Sequence, residues 1–227
     1  MIIQSHLSRY LIFFLLSFSA KASYILIPMD DESQKDHLKA YGIAFWTLEN
    51  DLSVEWLLNF RGGSFLIENQ TQIEKECIIR GVSYEIITNA YKQQLQIELA
   101  HPESNTDIIK LEKAPKVAVY SPKGNLPWDD AVTLVLTYAE IPYDVIYDKE
   151  ILSDLLPLYD WLHLHHEDFT GQYGKFYASF KNAPWYIEQK RNFESDASKL
   201  GYSKVSKQKL DVALKIKEFL AGGGFLF

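Results

Sequence analysis

Short apolar runs recur through the second half of the chain, separated by longer segments with helical spacing. Lys116 to Tyr120 (KVAVY), Asp144 to Tyr147 (DVIY) and Asp160 to His165 (DWLHLH) read as strands, and Phe225 to Phe227 (FLF) as the start of a fourth. Between them lie the loop Ser121 to Pro127 and helical patterns over Asp129 to Ile141, Lys149 to Leu156 and Ser206 to Leu220. The last of these is closed by Gly222-Gly223-Gly224, residues suited to ending a helix. A chain that alternates strand and helix in this way buries its apolar faces by laying helices over a sheet.

The first half alternates less cleanly. Tyr24 to Met29 reads as a strand, and Ser33 to Leu48 as a helix entered through Asp30, Asp31 and Ser33 as capping residues. Val54 to Phe60 is a strand, Arg61-Gly62-Gly63 a turn, Gln70 to Arg80 a helix, Val82 to Thr88 a strand and Ala90 to Ala100 a helix. The polar stretch His101 to Asp107 and the Ala114-Pro115 pair mark the expected boundary between an N-terminal α/β region (23–113) and a second α/β domain (114–227). Cys77 to Thr88 and Thr137 to Asp148 both pass from helix into a strand with a Tyr-acid-x-Ile core, an echo that a duplicated βα unit would produce.

Residues 1–22 differ in character. His6 and Arg9 precede the apolar run Tyr10 to Phe18, and Ala20-Lys21-Ala22 is a small-x-small cleavage site. The run is about half the ~20 residues that cross a bilayer, which predicts a signal peptide and no membrane span after its removal. The mature chain is expected to begin at Ser23 and to be periplasmic or secreted. Cys77 is the one cysteine, so no intrachain disulfide can form and stability must come from the core. The 227 residues are 47% hydrophobic with a formal net charge of -7, which supplies a core and argues against nucleic acid as a partner. Three apolar residues after a glycine-terminated helix read as a strand beginning, and predict a longer parent protein whose missing C-terminal part is a partner.

Several blocks carry a resemblance: SYILIPMDDESQKDHLKAYGIAFW, WLLNFRGGSFLI, PWDDAVTLVLTYAEIPYDVIYD, DWLHLHHEDFTGQYGKF and AGGGFLF. They resemble a family of exported bacterial proteins labelled asparagine synthetase B, over essentially the whole mature chain. The second half also resembles the class I glutamine amidotransferase-like superfamily. That resemblance implies a flavodoxin-like parallel sheet with helices on both faces, strand order 2-1-3-4, and a nucleophile-bearing turn beyond residue 227. The chain departs from asparagine synthetase chemistry at two points: Met1 is followed by Ile2 rather than a cysteine, and Arg61-Gly62-Gly63-Ser64 lacks the Asp-Ser of a pyrophosphate loop. Ser23, as a mature N-terminus, is a conceivable hydroxyl nucleophile, but it runs directly into a strand.

Under that strand order the first and third strands are neighbours, and the helices that follow them leave on opposite faces. The crevice so opened is where open α/β sheets take their ligands. Its expected ligand-binding residues are Ser121, Lys123, Gly124 and Asn125 from one loop and Thr170 and Gly171 from the other. His165, His166, Glu167 and Asp168 are the catalytic candidates: imidazoles beside carboxylates can position water, exchange protons or hold a divalent cation. A structural or loop-ordering role fits Glu167 and Asp168 as well. Strand parity puts Trp161, His163 and His165 on one face and Leu162, Leu164 and His166 on the other, so the histidines do not converge on one ion without a sharp bend. No metal and no cofactor is expected, and His163 reads as a core histidine. Lys123, Gly124 and Asn125 suit either an anion-binding turn or an ordinary one. The aromatic stretch from Phe169 to Tyr202 suits either a ring-stacking surface for a sugar or peptide or simple packing onto the sheet.

The expectation is therefore an exported amidotransferase-like protein acting as a ligand-binding or regulatory module for a small molecule, peptide or glycan. The alternatives are a hydrolase or amidotransferase on a small amide, peptide or envelope glycan, and the ATP-dependent synthetase that the family label states.

Overall fold

The computed structural model describes residues 23–122, 131–164, 169 and 177–227. The first half supplies strands β1 (Ser23–Ile27), β2 (Val54–Leu58), β3 (Ser64–Glu68), β4 (Glu85–Thr88) and β5 (Asp107–Leu111). They form one sheet in the order β4-β1-β3-β2-β5, with every neighbouring pair antiparallel. Ile25, Ile27, Val54, Phe65 and Ile67 face helices α1 (His37–Glu49) and α2 (Thr71–Arg80), where they meet Ile43, Ala44, Ile73 and Cys77. Leu26, Leu57 and Leu66 face the other way, onto Leu95 and Leu99 of α3 (Asn89–Leu99). The central strands are apolar at successive positions because both faces are covered, and each fully buried Ile or Leu contributes about 1.5–3 kcal/mol.

Local details differ from the sequence expectations. Helix α1 starts at His37 because Asp36 Oδ1 accepts the Lys39 N–H at 3.0 Å, whereas Asp30 closes an earlier turn by accepting from Ser33 N at 2.9 Å. Strands β3 and β5 were not expected; β3 is the return strand of a hairpin whose turn is Arg61-Gly62-Gly63. Gly62 sits at φ +78°, and a Cβ there would fall 2.2 Å from Met29 O, so the turn lies flat on the chain leaving β1. Arg61 locks it down with ion pairs to Asp30 and Glu85 at 2.9 and 2.8 Å.

The second half forms a wholly parallel sheet from β6 (Val117–Tyr120), β7 (Asp144–Ile146), β8 (Trp161–Leu164) and β9 (Phe225–Leu226), in the order β7-β6-β8-β9. Val117 and Val119 meet Leu136 of α4 (Ala131–Ala139) on one face. On the other, Ala118, Tyr120 and Leu162 meet Ile151 of α5 (Asp148–Leu152) and Val212, Ile216 and Phe219 of α8 (Val205–Ala221). Helices α6 (Tyr177–Phe180) and α7 (Pro184–Lys199) lie between β8 and α8 in the chain. This is the expected α/β arrangement, with helices on both faces of a parallel sheet. Gly224 lets the chain turn from α8 into β9: a Cβ there would fall 2.2 Å from the Phe219 ring.

The halves meet where α1 crosses α4. Gly42 approaches so closely that a Cβ would lie 1.9 Å from Ala139 O. Around this contact Glu140 accepts from Lys39 at 2.6 Å and pairs with Arg80 at 3.3 Å, and the Tyr138 hydroxyl donates to Asp36. Among the described residues no helix is long and apolar enough to cross a membrane, and the predicted signal peptide lies outside them.

Candidate functional site at the carboxyl end of the parallel sheet

Strand parity and helix periodicity drive four polar side chains into the interior at the carboxyl ends of β6 and β7. Tyr120, the last residue of β6, points the same way as Ala118, into the face covered by α5 and α8. Asp148 opens α5 immediately after β7. Lys209 falls on the inward stripe of α8, in step with Val205, Val212, Ile216 and Phe219, and Gln208 lies beside it. Asp148, Gln208 and Lys209 are each 3% exposed.

Burial on this scale requires that each polar atom be met. The Lys209 ammonium donates to Tyr120 Oη at 2.8 Å, to Tyr147 Oη at 2.9 Å, and to Asp148 Oδ1 at 3.0 Å and Oδ2 at 2.9 Å. Asp148 Oδ1 also accepts from the Tyr120 hydroxyl, and its Oδ2 from Gln208 Nε2 at 2.5 Å. Lys209 Nζ lies 4.3 Å from the centre of the Tyr147 ring, with the Tyr120 and Phe169 rings at 5.3 and 5.9 Å. Tyr120 is stacked between the other two rings, at 4.9 Å from Tyr147 and 5.2 Å from Phe169. The result is a rigid floor tying the start of α8 to the ends of two strands.

Beside this floor opens a cavity of about 830 Å³. Pro122 beyond β6, Tyr147 and Glu150 at the β7–α5 junction, Trp185 and Phe193 on α7, and Gln208 on α8 all line it. The volume suits a small-molecule ligand.

Of the residues expected in the crevice, Ser121 lies just past β6, and its N–H donates to Ile146 O at 3.0 Å, carrying the β6–β7 pairing one step beyond the strand. Lys123, Gly124, Asn125, His165, His166, Glu167, Asp168, Thr170 and Gly171 lie outside the described residues. The strands that lead into both loops do run side by side and parallel, with Tyr120 opposite Leu164. Helix α4, which follows β6, covers one face of the sheet, and α8, which comes after α6 and α7 and leads into β9, covers the other. His163 is buried in the strand body, its ring stacked 6.1 Å from Phe227.

The remaining candidates are structural. Cys77 is fully buried, and desolvation pushes its thiol up to about 12, so it holds no thiolate near neutral pH. Ser23 pairs with Thr88 at the start of β1, and its Oγ accepts from Asn69 at 3.0 Å. Among the described residues no group of three or more His, Cys, Asp or Glu side chains could hold a metal ion. The aromatic stretch divides: Tyr186 is buried and Phe169 packs on Tyr120, while Trp185 stands 51% exposed at the cavity.

The Lys209 network was not expected from sequence, though a signal for it exists. A lysine on the apolar stripe of a helix must either escape the core or find a buried acid. Comparison of the chain with family models, with curated proteins and with solved structures returned no match.

Proposed function

We propose that the chain is an exported, amidotransferase-like α/β protein whose second half is a ligand-binding or regulatory module, with the ligand held at the carboxyl end of the parallel sheet. One observation carries the reading: in the order β7-β6-β8-β9 successive strands are added to one side of β6 and then to the other, and the cavity opens at the carboxyl end of this sheet. The buried Tyr120–Asp148–Lys209 network gives the cavity a preorganised wall, so a ligand meets fixed groups rather than ordering them.

Titration followed by ¹⁵N NMR tests the proposal, using L-glutamine, a neutral trisaccharide and a tripeptide as probes. At least one probe is expected to shift the resonances of Tyr147, Trp185 and Gln208. Shifts confined to the five-stranded sheet, or none with any probe, would refute it.

A hydrolase or amidotransferase reading is favoured by one feature. Strand β8 ends at Leu164, opposite Tyr120, and His165 is the next residue in the sequence. The double variant His166→Ala, Glu167→Ala separates the two readings: a binding module keeps its affinity, whereas an enzyme keeps its fold and loses turnover.

A further inference from the structure

We infer that the cavity beside α7 selects a neutral saccharide. The inference rests on the reading above that the carboxyl end of the sheet holds the ligand, and adds its chemical class.

Helix α7 presents one face to the cavity, with Trp185, Glu188, Gln189, Asn192 and Phe193 at helical spacing. Rings thus alternate with planar polar groups along the wall. The indole of Trp185 is held between neighbours, 5.3 Å from the Phe180 ring and 5.5 Å from that of Tyr186, and still leaves half its surface open. Such a ring offers an apolar face to the C–H face of a pyranose.

The charges around the cavity argue against ionic ligands. Asp148 is neutralised by Lys209, and Asp196 pairs with Lys199 at 2.8 Å. Glu150 accepts the Tyr147 N–H at 3.1 Å as part of the α5 cap. That leaves the carboxylates of Glu150 and Glu188 facing a single lysine, Lys149, so the described lining carries one formal negative charge beyond balance. An anion is opposed by that charge, and a multiply charged cation finds only one carboxylate to answer its own charges.

What remains free is suited to hydroxyl groups. Gln189 and Asn192 have no hydrogen-bond partner among the described residues, and each amide can both donate and accept, as a sugar hydroxyl does. Gln208, whose Nε2 is committed to Asp148, leaves its buried Oε1 without a partner among the described residues. A peptide would instead call for a free strand edge or an apolar slot, and the free groups here are side-chain amides.

Calorimetric titration of the full chain with matched trimers tests this: neutral chitotriose and cellotriose, the cationic de-N-acetylated glucosamine trimer, and L-glutamine as an amide probe. A neutral trisaccharide should bind, about tenfold or more tightly than the cationic trimer, and Trp185→Ala should weaken it by about tenfold or more. Trp185→Phe should restore most of the loss, which separates a stacking contact from damage to the fold. Tighter binding of the cationic trimer, or an affinity unmoved by Trp185→Ala, would overturn the saccharide assignment. L-Glutamine binding alone, with shifts at Tyr147 and Gln208, would overturn it while leaving the site in place. No binding by any probe would sink both.

Discussion

Replacing Lys209 with Met tests whether the buried network is the structural floor of the parallel sheet. Methionine keeps the unbranched stem in its place on α8, so the hydrophobic contacts of the helix are largely retained. What is lost is the ammonium that meets both oxygens of Asp148 and two tyrosine hydroxyls. Tyr120 and Gln208 still donate to Asp148, but they carry no charge. With both partners about 96% removed from solvent, the Asp148 carboxylate becomes an uncompensated buried charge, and the cost is about 3–5 kcal/mol at neutral pH. The assay is urea unfolding followed by circular dichroism, where the midpoint should fall with little change in slope. Asp148→Asn in the Lys209→Met background should recover about 2 kcal/mol or more, because it deletes the stranded charge while its amide oxygen accepts from Tyr120 and its NH2 donates to the Gln208 amide once that group turns its Oε1 inward. A single variant that costs under about 1 kcal/mol, or a double variant less stable than the single, would refute the reasoning.

Gly42→Ala should destabilise by about 1–3 kcal/mol in the same assay, because the added methyl meets the Ala139 carbonyl and forces α1 away from α4. Since alanine ordinarily stabilises a helix over glycine by about 1 kcal/mol, a neutral or favourable result would contradict the close approach. Acid should loosen the same contact. The hydrogen bond from Lys39, opposed by burial and helped by Arg80, holds Glu140 below its usual 4.5; burial raises Asp36, but hydrogen bonds from Tyr138 and Lys39 outweigh it and leave Asp36 below 3.8. Groups with depressed values stabilise the fold above their unfolded values, and that contribution is lost as pH falls through the folded ones. Unfolding midpoints should therefore drop below about pH 4, and Glu140→Gln should flatten the drop.

How much of this could be read from sequence depended on what each element buries. The parallel sheet was legible because β6, β7 and β8 are short apolar runs framed by helical spacing and glycine stops, and the adjacency of β6 and β8 followed from the strand order implied by the resemblance. Strand β3 escaped notice because Ser64 to Ile67 are all buried, leaving no alternation to distinguish a strand from the tail of a turn. Strand β5 is an edge strand with exposed Asp107, Ile109 and Lys110, and it continues straight out of a polar stretch that reads as a linker. Asp30 and Asp31 look like caps because capping depends on type and position, yet six residues of turn separate Asp30 from the helix it was expected to start. The antiparallel pairing of the first sheet left no local trace at all. It is fixed by contacts such as Tyr24 with Glu68 and Ile87, far apart in sequence.

The carboxyl end of the parallel sheet was legible as a place, and the side chains described there were not. Strand ends and switch points are topological, so the carboxyl end of the sheet could be marked out before any side chain was placed. The network residues are different: Tyr120, Asp148 and Lys209 are 28 and 61 positions apart along the chain, and nothing local announces that they meet. Their meeting still follows a rule. Lys209 occupies a core position of α8, and the inward carboxylate it meets belongs to Asp148, at the junction of β7 and α5. Gln208 then joins the two functions, since its Nε2 holds Asp148 while the same side chain borders the cavity. A ligand in that cavity therefore rests on a wall whose geometry is set by the ion pair behind it, and a weakened Lys209–Asp148 contact should be felt in binding as well as in stability.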